Sequence, residues 1–145
     1  MDHHLILRVV TKILVAPILL YGLYVQFHGD FGPGGGFQAG VIFAVGFILF
    51  GLVFSLRKLR KIVPDYVVHR LVAIGILLYI STGLLSLLLG ANFLDYNVFA
   101  EQAYQGQHGG IIAIELGVGI TVFAVMMAIY YSFAGRPPPL DDKEW

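Results

Sequence analysis

Residues 37–56 read FQAGVIFAVGFILFGLVFSL, and this run decides the fold. It contains no charged residue, and its polar side chains, Gln38 and Ser55, sit at the two ends. An α-helix rises about 1.5 Å per residue, so roughly 20 such residues cross the hydrocarbon core of a bilayer. In lipid every backbone polar group must find its partner inside the segment, which makes the run a helix. Working outward, three more stretches qualify: 5–27, 71–89 and 111–133. The composition agrees. The 145 residues are 58% hydrophobic and 12% charged, with a mean hydropathy of +0.82, whereas a soluble domain carries about 25% charge. The chain therefore reads as an all-α integral membrane protein, a single domain over 1–145 built from four transmembrane helices.

The first stretch has the basic start and apolar centre of a secretory signal. Tyr21, Tyr24, Gln26 and Phe27 stand where a small-x-small cleavage site belongs, so it reads as a retained helix. Basic residues set the orientation. Arg8 and Lys12 lie at the amino end, Arg57, Lys58, Arg60, Lys61 and Arg70 between the second and third spans, and Arg136 and Lys143 at the carboxyl end. With four spans these regions share one side and hold all nine Lys and Arg, while the other side holds Asp30, Asp95 and Glu101. Both termini are expected in the cytoplasm, with the protein in the cell (inner) membrane. The connections are short: 57–70 is too small for a domain, 90–110 leaves room for about one helical turn, and Pro137, Pro138 and Pro139 make a stiff extended stub of the tail.

Several function classes fall away. Without cysteine the chain offers no disulfide, thiolate metal site or iron–sulfur ligand. Nothing matches a Walker loop, a dinucleotide fingerprint, a nucleophile elbow or a zinc-binding helix. The expectation is a non-enzymatic membrane protein with no cofactor, no metal and no nucleic-acid partner.

Glu115, an acid inside an apolar helix, is the sharpest chemical feature. Burying it costs a few kcal/mol on insertion scales, and such residues commonly serve ion or proton paths. On a helical projection it points away from Ala113, Gly117 and Thr121 and towards the face of Gly119. It reads either as a protonatable or cation-binding group or as an interhelical hydrogen-bond partner. His28 and His108 flank outward connections and are candidate proton relays, or else partners of backbone carbonyls. Arg8 and Lys12, four apart, suit snorkelling to headgroups. The run from His28 to Gly40 is the most unusual. Pro33 is followed by Gly34, Gly35, Gly36 and Phe37, and Gly36, Gly40 and Ala44 continue as a small-residue stripe. A tight turn followed by a helix-packing face is the preferred reading, with a re-entrant ion-coordinating loop as the alternative. Gly75, Thr82 and Ser86, with Tyr79 near them, give the third span a second such face. So many close-packing faces suit a chain placed among other membrane subunits.

These residues carry a resemblance. The chain resembles the B-type subunits of the Mrp (Mnh) multisubunit sodium/proton antiporters over nearly its whole length. The resemblance rests on Gln26-Phe27-His28-Gly29, the run Pro33-Gly34-Gly35-Gly36-Phe37-Gln38-Ala39-Gly40, Leu87-Leu88-Leu89-Gly90 with Asn92-Phe93-Leu94-Asp95, and Glu115-Leu116-Gly117-Val118-Gly119-Ile120-Thr121. It implies an accessory subunit of a large cation (Na+ or K+)/proton antiporter, supporting assembly or ion movement, with other membrane subunits as partners. Pro33, Phe37 and Glu115 carry over as candidates. Related subunits in membrane-bound hydrogenases imply the alternative, a membrane-arm subunit of an ion-pumping, complex-I-like oxidoreductase. A self-sufficient channel would need a polar stripe along one helix, which these spans lack.

Overall fold

The computed structural model describes residues 3–29 and 32–136, excluding the side chains of His3 and His4. The proline stub expected at 137–139, Lys143, Asp30 and Phe31 lie outside the described residues. The elements are α1 (His3–Phe27), α2 (Gly36–Phe54), α3 (Leu56–Ile62), α4 (Asp65–Leu88), a 3-10 turn (Tyr96–Phe99) and α5 (Ala103–Ala134). Four of these helices, α1, α2, α4 and α5, are long and apolar enough to cross a membrane. This is the all-α, four-span membrane fold expected from the sequence.

The four spans form a row. Helix α5 packs between α2 and α4, and α1 lies against α2 at one end. Glycines mark the seams and give the directions. Gly36 faces the Glu115 backbone, Gly40 faces Gly119 and Gly51 faces Tyr130, so α2 and α5 run parallel. Gly22 meets Phe43 while Gly46 meets Leu19, so α1 is antiparallel to α2. Gly75 meets Thr121 and Gly117 meets Tyr79, so α4 is antiparallel to α5. Lipid gives apolar helices no hydrophobic reason to associate, and small residues allow the close backbone approach that replaces it. Large apolar side chains such as Leu20, Leu52 and Leu77 point outward instead.

The basic end is closed by α3. Helix α2 stops at Ser55, whose φ of 109° is left-handed territory for a non-glycine residue, a strain of about 1–3 kcal/mol. The corner is held by the Ser55 amide donating to Gly51 and the Leu59 amide donating to Ser55, at 3.0 and 3.2 Å. Leu59 then buries itself with Val63, Val68, Ala124, Met127 and Tyr131, while Arg57, Lys58 and Lys61 stay outside that cluster. The Tyr131 hydroxyl donates to the Val63 carbonyl at 2.7 Å. Arg60 lies over the Tyr131 ring at 5.3 Å, and its Nε is 3.3 Å from the Asp65 carboxylate. Lys12 is exposed, with Nζ 5.8 Å from the Phe54 ring.

The spans differ from expectation at their ends. The second closes at Phe54 rather than 56 because the chain turns at Ser55 into α3. The third begins at Asp65 rather than 71, directly after Pro64, which takes the N-cap position. The fourth begins at Ala103 rather than 111. Gly106, Gly109 and Gly110 weaken a helix in isolation, but Gly106 and Gly110 are buried against Tyr96 of the 3-10 turn. That packing outweighs propensity. Burial there also raises the Tyr96 pKa above its ordinary value, with the nearby Tyr79 adding to the shift.

Candidate functional site at the glycine loop

The connection from α1 to α2 folds back on the end of α1. Two amides, His28 at 3.4 Å and Gly35 at 3.2 Å, donate to the Val25 carbonyl. Gly35 has a φ of 113°, a conformation that glycine alone takes without strain. Helix α2 starts at the next residue, with no side chain of its own capping the first turn. Pro33 and Phe37 are exposed, Phe37 by 63%, so neither is buried within this chain.

Glu115 enters this loop from α5. A Cβ built on Gly29 would collide with its Oε1 and lie 2.6 Å from Oε2; one on Gly35 would lie 2.8 Å from Oε1. A Cβ on Gly36 would overlap the Glu115 carbonyl oxygen. The loop glycines and the membrane acid, separate features in the sequence, thus form one structure. Glu115 is also deeper along its helix than the sequence suggests. It lies three turns into α5 rather than one, because α5 starts earlier, yet it is level with the first residue of α2.

The two candidate histidines lie towards this end. His28 adjoins Gly29 and stacks on Tyr24, with ring centroids 4.8 Å apart. His108 stacks on Tyr104 at 6.4 Å. It precedes Glu115 by seven positions on α5, about two turns and so the same face, roughly 10 Å along the axis. His69 lies at the basic end, where its Nδ1 donates to the Asp65 carbonyl at 2.7 Å. Among the described residues no three His, Asp or Glu side chains converge as a metal ion would require.

One residue was quoted from the sequence without being singled out as a site candidate. Gln26 is 8% exposed, and its Oε1 lies 2.6 Å from the Cβ position of Gly119. It is the polar member of a groove of about 190 Å³ between α1, α2 and α5, lined otherwise by Leu23, Phe27, Phe43, Leu116, Gly119, Ile120 and Phe123. The available signal was an amide near the end of an apolar helix, three residues before Gly29. Chemically, the site offers a carboxylate that can gain or lose a proton, with one imidazole adjoining its loop and another on its own helix face. An imidazole carries one donor and one acceptor nitrogen, which suits it to passing protons.

Residues 6–128, which include the whole of this site, match a family model described as a domain related to the MnhB subunit of Na+/H+ antiporter. The chain belongs to the MnhB family. Its relatives in that family include proteins named antiporter subunit mnhB2. The one from Staphylococcus epidermidis is 33% identical over 138 residues, covering 92% of this chain and 96% of the relative. The Staphylococcus aureus protein is 34% identical with the same coverage, and that of Staphylococcus haemolyticus is 32% identical over 142 residues. This MnhB-family chain is accordingly a multi-pass protein of the cell membrane, and both the loop and Glu115 lie inside the matched region.

Proposed function

We propose that this chain is the B-type accessory component of a multisubunit Na+/H+ antiporter, held among other membrane subunits and not an enzyme in its own right. The observation that carries the proposal is the match to the MnhB model over residues 6–128 of a four-span chain. The same match favours the antiporter over the membrane arm of an ion-pumping oxidoreductase. The segregation of Lys and Arg supports an orientation with both termini in the cytoplasm. In that orientation the glycine loop, Glu115, His28 and His108 lie towards the outer surface. Glu115 is then the protonatable or cation-binding group on an ion path whose outer mouth carries the two histidines. A carboxyl group is a costly choice for helix adhesion where an amide would serve, which supports use of its charge.

The test is Glu115→Gln in the whole complex. The amide keeps the shape and most hydrogen-bonding capacity while removing the charge. Cation-dependent proton movement in everted vesicles should fall, or its apparent cation affinity should shift, with complex abundance unchanged. A normal Gln variant beside an unassembled Glu115→Leu variant rejects the transport role and leaves a structural one. Co-purification of the tagged chain with other antiporter subunits tests the assembly itself.

A further inference from the structure

We infer that Gly29 is a positioning residue for the Glu115 carboxylate, and that Gly29 and Gly35 of the loop between α1 and α2 together form its seat. The functional arm of this inference rests on the ion-path reading of Glu115; the seat itself does not.

Glycine is required in this loop for different reasons at different positions. At Gly35 the reason is conformational, since φ is 113° and any L side chain is strained there. At Gly34 the obstacle is backbone, the Val25 carbonyl oxygen, which a Cβ would approach to 2.9 Å. At Gly36 it is the backbone of Glu115 on α5. Gly29 is unlike all three. Positive φ among the described glycines is confined to Gly35 and Gly90, so the backbone at 29 lies outside the left-handed region and would accept alanine. Among the described residues, its chain neighbours aside, the three atoms nearest its Cβ position all belong to one carboxyl group: Oε1, Oε2 and Cδ of Glu115. The volume a side chain would take at 29 is filled by an ionisable carboxyl group carried inside a span. The seat also holds the carboxylate beside Gly35, at the N-terminal end of α2, where the helix dipole favours negative charge.

The two kinds of obstacle respond differently to a methyl group. Backbone cannot swing aside, so Gly36→Ala must push α2 from α5 and reduce the assembled complex. A carboxyl group is the far end of a flexible side chain, so Gly29→Ala is absorbed by its rotation out of the seat. The fold survives and the charge moves. The expected result in the intact complex is normal yield of Gly29→Ala on a native gel, with apparent cation affinity for antiport weakened about tenfold. In a Glu115→Asp background the shorter side chain leaves room for the methyl group, and adding Gly29→Ala should change little; the coupling of a double-mutant cycle measures this.

Three outcomes overturn the inference. The first is loss of assembly in Gly29→Ala to match Gly36→Ala, which makes 29 a packing glycine. The second is normal transport by Gly29→Ala while Glu115→Gln fails, which leaves the ion path standing without the seat. The third is an equal cost of Gly29→Ala with Asp at 115. An active Glu115→Gln complex refutes the transport reading by itself, and the seat is then decided by thermal stability in the same double-mutant cycle. Gly29→Ala must lower the melting temperature of the complex with Glu at 115 and leave it unchanged with Asp if the seat is right; equal shifts in both backgrounds overturn it.

Discussion

Replacing Gly40 by alanine tests the seam on which the row depends. A Cβ at this position would lie 2.6 Å from the Gly119 carbonyl oxygen, 2.9 Å from Cβ of Val122 and 3.1 Å from the Phe123 nitrogen. Comfortable carbon contacts begin at about 3.5 Å, so the shortfall is roughly 0.5–1 Å on three sides at once. Two of those atoms belong to the α5 backbone and the third is the first carbon of a stiff β-branched residue. None can rotate away, so the helices must part. That parting extends along the parallel contact to Gly36 on one side and the fully buried Ala44 on the other. Overpacking of a tight contact costs about 1–3 kcal/mol, and the upper part of that range applies here. About 2.8 kcal/mol is a hundredfold in the assembled ratio. The control is Gly22→Ala, whose Cβ meets Cδ2 of the Phe43 ring at 2.8 Å. That ring can turn towards the open groove beside it, so the cost should be about 1 kcal/mol or less. The assay is thermal stability of the detergent-extracted complex by fluorescence size-exclusion chromatography. Equal losses for Gly40→Ala and Gly22→Ala would refute the idea that immobile backbone, rather than crowding in general, limits this seam.

Two further predictions concern the basic end and the orientation. Tyr131→Phe keeps the ring under Arg60 but removes the buried hydrogen bond to the Val63 carbonyl; a loss of about 1–3 kcal/mol in thermal stability is expected, and an unchanged melting profile would mean that water replaces the hydroxyl. An alkaline phosphatase reporter fused after Trp145 should be inactive and one inserted near Ala100 active, with the reverse pattern sinking the proposed orientation.

The sequence by itself determined that this protein lives in lipid, how many times it crosses and which residues would punctuate the crossings. An apolar run of about 20 residues has a single way to satisfy its backbone in hydrocarbon, so the four spans needed no tertiary information. The faces of α5 were also legible. The helical period separates Glu115 and Gly119 from Gly117 and Thr121, and these pairs do face α2 and α4 respectively. The ends were not legible. Pro64 and the turn at Ser55 assign residues 56–70 to two helices, and Gly106 and Gly110 stay helical through burial against Tyr96, a partner ten and fourteen positions away. Nor could the sequence join its two most unusual features. Gly29 and Glu115 are 86 positions apart, and no local rule relates them. Only the parallel packing of α2 beside α5 sets the glycine loop at the level of the acid. The missing side chain and the carboxyl group that fills its place are read as one object only when both helices are in position.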